Sequence, residues 1–171
     1  YTDMASGPKY FTYINQELPT LCRRFFGIQP VPERTYIMGL SMGGYGAMKC
    51  AFTAPQQYAG CAGFSSVAEI QAELPQLCRW HEDQAIFPHG IVPPQDDLFD
   101  LVEKFRDGTC PVPRLFLACG QQDSLYPANL RLRDTLQAMN WPLTWYEAPG
   151  DHNWFFWNDA LGRAMKELLE N

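Results

Sequence analysis

Short apolar runs alternate with helix-forming segments along most of the chain. Four of these runs predict buried strands, at residues 34–40, 57–65, 113–119 and 143–148. Helical patterns lie between or after them, at 43–52, about 127–139 and about 154–169. Strands that are apolar throughout, rather than alternating, are typical of a parallel sheet with helices on both faces. The pattern therefore predicts an α/β fold with a mostly parallel sheet.

An N-terminal segment, residues 8–26, also carries apolar side chains at helical spacing. Pro19 lies inside this segment. Proline lacks the N–H group that a helix interior needs, so we expect Pro19 to kink or divide the helix.

A longer segment, residues 66–112, interrupts the alternation of strands and helices. It contains a helical pattern near 67–79, a loop with proline and glycine at 87–94, and a short helix for which Asp96 is the expected N-cap. A length of 171 residues corresponds to one domain. We therefore expect a single domain over residues 1–171, with about 66–112 forming a cap-like insertion over the ends of the strands.

The composition narrows the classes of function. Hydrophobic residues make up 46% and charged residues 19% of the chain, which is ordinary for a globular protein. The net charge of -6, with only 13 Lys and Arg, argues against nucleic-acid binding, because phosphate contacts need clustered cations. The longest apolar run, residues 115–119, is far shorter than the roughly 18 residues that a membrane span needs.

Six cysteines are spread through the chain without tight spacing. Cys50, Cys61 and Cys119 lie in apolar segments, where a free cysteine packs as a small hydrophobic residue. We expect reduced thiols and a cytoplasmic protein, since no signal peptide is recognisable in the first residues.

The motif with the clearest chemistry is Gly-Leu-Ser-Met-Gly at residues 39–43, followed by Gly44-Tyr45-Gly46. It directly follows a predicted strand and precedes a predicted helix, which is the context of a nucleophile elbow. Such a sharp turn needs glycine on either side of Ser41, because a Cβ there would collide with neighbouring backbone. The alternative is a glycine-rich turn with a passive capping serine.

A serine nucleophile needs a histidine that is oriented by a carboxylate. His152 follows the last predicted strand, at the carboxyl end of the sheet where sites of open α/β sheets lie. The other two histidines, His81 and His89, belong to the insertion. Asp123 follows the third predicted strand and is the favoured partner, with Asp151 as its competitor. The chain order Ser, Asp, His is that of α/β-hydrolases.

The sequence resembles a known group, the esterase D and tributyrin-esterase branch of the α/β-hydrolase superfamily. Within that group it is most similar to the tributyrin-esterase type. The resemblance extends from the first residue almost to the last. It rests on Tyr1-Thr2-Asp3-Met4, Glu17-Leu18-Pro19, residues 39–47, Asp97-Leu98-Phe99, residues 119–123 and residues 150–157. It implies Ser41 as nucleophile, His152 as general base and Asp123 as the acid that orients it.

The resemblance also implies that part of the fold lies outside this chain. Relatives carry an N-terminal half with further strands and a loop that lends one N–H to the oxyanion hole. The other N–H comes from the residue after the nucleophile, here Met42. The strand that ends at Leu40 would then lack a neighbour, and we expect its edge to pair with a second copy or with the N-terminal segment.

The sequence thus predicts a serine carboxylesterase that hydrolyses short-chain acyl esters without a cofactor or metal. The alternatives are a thioesterase or acyltransferase with the same three residues, and a non-catalytic fragment. Leu40 and Trp154 are candidates for the substrate pocket, although Trp154 is also explained by packing of the last helix on the sheet. The polar residues of the insertion match no metal-binding spacing; they are Cys78, His81, Glu82 and His89.

Overall fold

A four-stranded parallel sheet forms the centre of the computed structural model, which describes residues 1–78 and 82–170. All four predicted strands are present. Their order in the sheet follows the chain, and every neighbouring pair is parallel. The strands are β1 (Tyr36–Leu40), β2 (Gly60–Phe64), β3 (Arg114–Gly120) and β4 (Leu143–Ala148).

Helices occupy most of the remaining chain. They are α1 (Tyr10–Thr12), α2 (Leu18–Phe26), α3 (Met42–Thr53), α4 (Ile70–Leu77), α5 (Glu82–Ile86), α6 (Leu98–Glu103), α7 (Tyr126–Ala138) and α8 (Trp154–Leu169). No helix in the described part of the chain is both long and apolar enough to span a membrane.

The predicted N-terminal helix is divided as expected, although the irregular turn is not at the proline itself. A π-helical turn, Tyr13–Glu17, joins α1 to α2, and Pro19 lies in the first turn of α2. A helix start tolerates proline because the N–H groups there have no intrahelical acceptor.

Helices cover both faces of the sheet, as the apolar strands predicted. On one face, Cys61 of β2 and Leu115 and Leu117 of β3 pack with apolar side chains of α3, α4, α6 and α7. On the other face, alternate strand residues pack only against α8. This second cluster contains Ala62, Phe64, Phe116, Ala118, Phe156, Trp157, Ala160, Ala164 and Leu168.

Burial raises the pKa of the Cys50 thiol to about 11 and that of Cys119 to about 12, so both stay protonated at neutral pH.

Strand β1 lies at one edge of the sheet, opposite the other edge strand, β4. It pairs only with β2, and its five residues are half-buried, whereas those of β2 are fully buried. The prediction of a buried strand at 34–40 is therefore only partly correct. An edge of this kind presents unpaired backbone N–H and C=O groups.

The segment 66–112 contains α4, α5, α6 and two short 3₁₀ turns. The expected N-cap Asp96 is wrong: the cap of α6 is Asp97, whose Oδ1 accepts from the N–H groups of Phe99 (2.8 Å) and Asp100 (3.2 Å). Asp96 lies in the preceding 3₁₀ turn, Pro94–Asp96. In the sequence, either aspartate could be the N-cap of α6. The structure distinguishes them, because Asp96 has a buried partner elsewhere.

That partner is Lys49, on the helix that follows Ser41. The Lys49 ammonium forms a buried ion pair with the Asp96 carboxylate, and it also donates to the Thr2 hydroxyl at 2.8 Å. The Thr2 hydroxyl in turn donates to Asp96 at 2.6 Å. The side chains of Lys49 and Asp96 are only 4% and 10% exposed. This cluster links the insertion, α3 and the N-terminal segment.

Replacing Lys49 with methionine is expected to destabilise the fold by about 3–5 kcal/mol, because it leaves the Asp96 carboxylate buried without a counter-charge. Urea unfolding followed by circular dichroism measures the change. The double variant Lys49→Met/Asp96→Leu should recover most of the loss, since it removes both buried charges together. Equal loss in the single and double variants would show that the ion pair is not the cause.

Candidate active site

Ser41 lies in the sharp turn between β1 and α3. Its backbone has φ 53° and ψ −122°, a conformation that residues other than glycine rarely adopt. Several hydrogen bonds hold it there: the Ser41 N–H donates to the Phe64 carbonyl at 2.8 Å. The Ser41 carbonyl accepts from the N–H groups of Gly44 (3.0 Å), Tyr45 (3.2 Å) and Val67 (3.3 Å). The turn therefore fixes the serine at the carboxyl edge of the sheet.

The glycines around Ser41 have different roles. A Cβ at Gly39 would lie 2.1 Å from the Gly43 carbonyl oxygen, so the turn requires glycine there. A Cβ at Gly44 would lie 2.2 Å from the Ser66 hydroxyl oxygen. At Gly43, however, it would meet nothing closer than the Tyr1 hydroxyl oxygen at 3.9 Å. The expected collision is thus correct for Gly39 and wrong for Gly43, and Gly44 is the second position where space is tight.

The structure brings Ser41, His152 and Asp123 together in one chain of hydrogen bonds. His152 Nε2 lies 3.0 Å from Ser41 Oγ, and His152 Nδ1 lies 2.9 Å from Asp123 Oδ2. The Asp123 side chain is fully buried, and its other oxygen, Oδ1, accepts from the Leu125 N–H at 2.9 Å. The His152 side chain is 33% exposed. Three residues that are far apart in sequence thus meet at the carboxyl ends of β1, β3 and β4.

Asp151, the competing carboxylate, does not contact the imidazole ring. Its Oδ1 accepts from the backbone N–H of His152 at 2.7 Å, and the residue is exposed. Adjacent residues rarely aim their side chains at one another, and this pair follows that rule. The geometry assigns the ring contact to Asp123.

The residues that follow His152 stabilise its loop. Asn153 caps α8, because its Oδ1 accepts from the N–H groups of Phe155 (3.0 Å) and Phe156 (3.4 Å). This cap was not predicted from the sequence, although an asparagine directly before an apolar helix is a recognisable N-cap signal.

Trp157, one turn further along α8, contacts the imidazole. The ring centroids of Trp157 and His152 are 4.8 Å apart, with the planes at 86°. The Trp157 indole N–H donates to Ser65 Oγ at 3.0 Å, and Ser65 lies at the end of β2 with a left-handed φ of 46°. The buried indole therefore joins the histidine loop to the strand in the middle of the sheet.

Met42 and Leu40 flank Ser41. Met42 is the first residue of α3, where backbone N–H groups have no intrahelical acceptor, so its N–H is available to an anion. Leu40 packs on the α8 face of the sheet and also lines a cavity of about 300 Å³ beside β1.

Trp154 does not pack on the sheet, which corrects one of its two interpretations. It is 65% exposed and contacts Trp157 edge-on, with ring centroids 5.6 Å apart. Phe156 and Trp157 make the contacts of α8 with the sheet instead. The neighbouring Phe155 is 93% exposed.

The structure describes only some of the polar residues of the insertion that were considered as metal ligands. Within residues 1–78 and 82–170, no three His, Cys, Asp or Glu side chains lie close enough to hold a metal ion. His89 is exposed in a 3₁₀ turn, Pro88–Gly90. His81 lies outside the described residues.

A parallel sheet with helices on both faces, and a serine at a strand-to-helix turn, define the α/β-hydrolase fold. The chain belongs to the esterase family described as "Putative esterase", whose sequence profile matches residues 2–168. Membership of this family supports a hydrolase.

Relatives with this fold include proteins named as hydrolases and esterases. A substrate-bound fluorophosphonate-binding serine hydrolase F of Staphylococcus aureus is 30% identical and superposes with a TM-score of 0.90 over 100% of this chain. An S-formylglutathione hydrolase of the same organism is 30% identical, with a TM-score of 0.78 over 93% of the chain. An acetyl esterase of Caldicellulosiruptor saccharolyticus is 28% identical over 97% of the chain.

The chain is shorter than these relatives. It spans 66% of the length of the acetyl esterase, 68% of the serine hydrolase and 60% of the S-formylglutathione hydrolase.

Proposed function

We propose that the protein is a serine carboxylesterase for short-chain acyl esters, with Ser41 as nucleophile in a nucleophile elbow. The hydrogen-bonded chain from Ser41 Oγ through the His152 ring to Asp123 carries this proposal. It is the arrangement by which a neutral imidazole activates a serine hydroxyl, and Asp123 favours the tautomer with the proton on Nδ1.

The reaction takes two steps. Ser41 Oγ attacks the ester carbonyl carbon while His152 Nε2 accepts the hydroxyl proton, and the resulting tetrahedral adduct carries a negative oxygen. The adduct expels the alcohol, which takes the proton from His152, and an acyl-Ser41 ester remains. Water then attacks the acyl carbon and passes one proton to His152. The second adduct breaks its bond to Ser41 Oγ, which takes that proton back from His152, and the acid is released.

The Met42 N–H is the proposed donor to the negative oxygen, because it lies at the start of α3 next to the nucleophile. A second donor is expected from an upstream loop, as in the family that the sequence resembles. One missing donor costs on the order of 3 kcal/mol of transition-state stabilisation. We therefore expect the 171-residue chain to be a slow catalyst by itself.

The substrate pocket is proposed on the two sides of Ser41. Leu40 directly precedes Ser41 and lines a cavity of about 300 Å³ beside the edge strand β1. Exposed Trp154, on the His152 side, is proposed to contribute its apolar ring to the acyl pocket. The acetyl esterase among the relatives supports a short acyl chain.

A thioesterase or acyltransferase with the same three residues is the second candidate function. The likeness to S-formylglutathione hydrolases favours it: besides the S. aureus structure, the bovine enzyme is 35% identical over 72 residues. The third alternative, a non-catalytic fragment, is suggested by the half-buried edge strand β1.

We further infer that residues 1–171 form one domain with a cap at about 66–112 and that the protein is cytoplasmic. The small-molecule ester is the main partner. The free edge of β1 is expected to pair with a second copy of the chain or with an N-terminal segment.

The test measures the rates at which the chain hydrolyses p-nitrophenyl acetate, p-nitrophenyl butyrate and an acetyl thioester. Sedimentation of the same chain measures whether it associates. We expect slow but catalysed ester cleavage and an associated rather than monomeric chain. A fluorophosphonate probe should label Ser41 and leave the fully buried Ser65 and Ser66 unlabelled. Labelling of another serine would overturn the assignment, and faster thioester cleavage would favour the second candidate. A monomeric chain with full activity would contradict the expectation that this chain lacks one oxyanion donor.

A further inference from the structure

The loops that carry Asp123 and His152 remain paired beyond the ends of their strands. Strands β3 and β4 are in register up to Gly120 and Ala148. The Gln121 N–H then donates to the Ala148 carbonyl at 3.0 Å, and the Gln122 N–H donates to the Gly150 carbonyl at 2.9 Å. The two site loops are thus joined directly by backbone hydrogen bonds.

One side chain adds to this pairing. The amide oxygen of Gln122, Oε1, accepts from the Gly150 N–H at 2.6 Å. Gln122 therefore binds both backbone polar groups of Gly150, one through its own N–H and the other through its side chain. Gln122 directly precedes Asp123, and Gly150 lies two residues before His152.

Gly150 depends on these bonds for its position because it has no side chain to anchor it. A Cβ at Gly150 would lie 2.9 Å from the Phe156 ring, and a Cβ at Gly120 would lie 2.4 Å from the Gly150 carbonyl oxygen. Space around Gly150 is therefore too tight for a larger residue, and Gly150 makes its polar contacts through its backbone alone.

The histidine loop is fixed at its far end by Asn153, which caps α8. At its near end it is fixed by Gly150. Between these points the His152 side chain is 33% exposed, whereas Asp123 is fully buried. The imidazole is therefore the more exposed partner of the pair, and the backbone of its loop is held at Gly150 on one side and at Asn153 on the other.

We propose that Gln122 is a positioning residue: by accepting the Gly150 N–H, its amide oxygen holds the histidine loop where His152 meets both Asp123 and Ser41. The inference rests on the proposed function, because it concerns the reactivity of Ser41. It adds a residue that touches none of the reacting groups.

The experiment measures the rate at which a fluorophosphonate probe reacts with Ser41 in the full chain and in three variants. Gln122→Met removes the acceptor, Gln122→Glu keeps an acceptor oxygen in place, and Gln121→Met is the matched control. Gln121 is likewise exposed, and its side chain bonds Glu147 at 3.2 Å rather than the histidine loop. Glu147 keeps its bonds from Trp145 and Tyr126 in that control.

We expect Gln122→Met to slow the maximal labelling rate by about ten- to a hundredfold, as small displacements of reacting groups do, with little change in probe affinity. Gln122→Glu and Gln121→Met should react close to the wild-type rate, and all variants should unfold at similar temperatures. If the probe labels the wild type and Gln122→Met reacts at the same rate, the inference is overturned. It is also overturned if Gln122→Glu reacts as slowly as Gln122→Met. A wild-type chain that does not react at Ser41 overturns the proposed function, and the inference falls with it.

Discussion

Replacing Ser41 with alanine is expected to lower ester turnover by about 10⁶-fold in an enzyme that contains this chain and its second oxyanion donor. The change removes the nucleophile, and the remaining groups can only orient a water molecule. The fold should be unaffected, because Ser41 makes its structural hydrogen bonds through its backbone N–H and carbonyl. Turnover of p-nitrophenyl butyrate and the thermal unfolding temperature of both proteins check this.

Ser66→Ala is the matched control for that change. Ser66 is fully buried near the same turn, and its hydroxyl has no hydrogen-bond partner within residues 1–78 and 82–170. Its removal should leave turnover close to wild type. Normal activity of Ser41→Ala, or an equal loss in Ser66→Ala, would show that Ser41 is not the nucleophile.

Replacing Asp123 with asparagine is expected to lower turnover by about 10⁴-fold while the protein stays folded. The amide no longer favours the tautomer with the proton on His152 Nδ1, so Nε2 loses the lone pair that accepts the Ser41 proton. The loss should appear in kcat rather than in KM, because Asp123 lies behind the histidine and away from the substrate.

Asp151→Asn is the control for this prediction. It makes the same chemical change one residue from His152, at a carboxylate that contacts only the backbone N–H of His152. We expect a small effect, since an asparagine oxygen can accept the same bond. A greater loss in Asp151→Asn than in Asp123→Asn would transfer the orienting role to Asp151.

The position of β3 could be predicted from the sequence because a buried parallel strand is apolar along most of its length, whereas β4, an edge strand with Thr144 and Glu147, is only half-buried. Residues 143–148 match β4 from end to end, and residues 113–119 differ from β3 by one residue at each end. The meeting of Ser41, Asp123 and His152 could be anticipated for a related reason: each follows a predicted strand, and parallel strands end at the same edge of a sheet.

Features that depend on contacts between distant segments could not be predicted in the same way. Whether Asp96 or Asp97 caps α6 depends on Lys49, which lies 47 residues from Asp96 in sequence. The open space at Gly43 and the crowding of Gly44 by Ser66 depend on how α3 meets the end of β2. The hydrogen bond of Gln122 to Gly150 could not be predicted, because an exposed glutamine in a polar loop has the same sequence pattern whether or not it binds a neighbouring loop.

The backbone conformation of Ser41 lowers the stability of the fold at the position of the proposed nucleophile. A serine held at φ 53° and ψ −122° costs of order 1–3 kcal/mol, and glycine adopts the same angles without that penalty. Selection for thermal tolerance alone would therefore favour glycine at this position and produce a sturdier, inert protein. With Ser41 as the proposed nucleophile, selection on turnover would retain the serine, so we expect the residue at this turn to distinguish homologues that are under selection as enzymes.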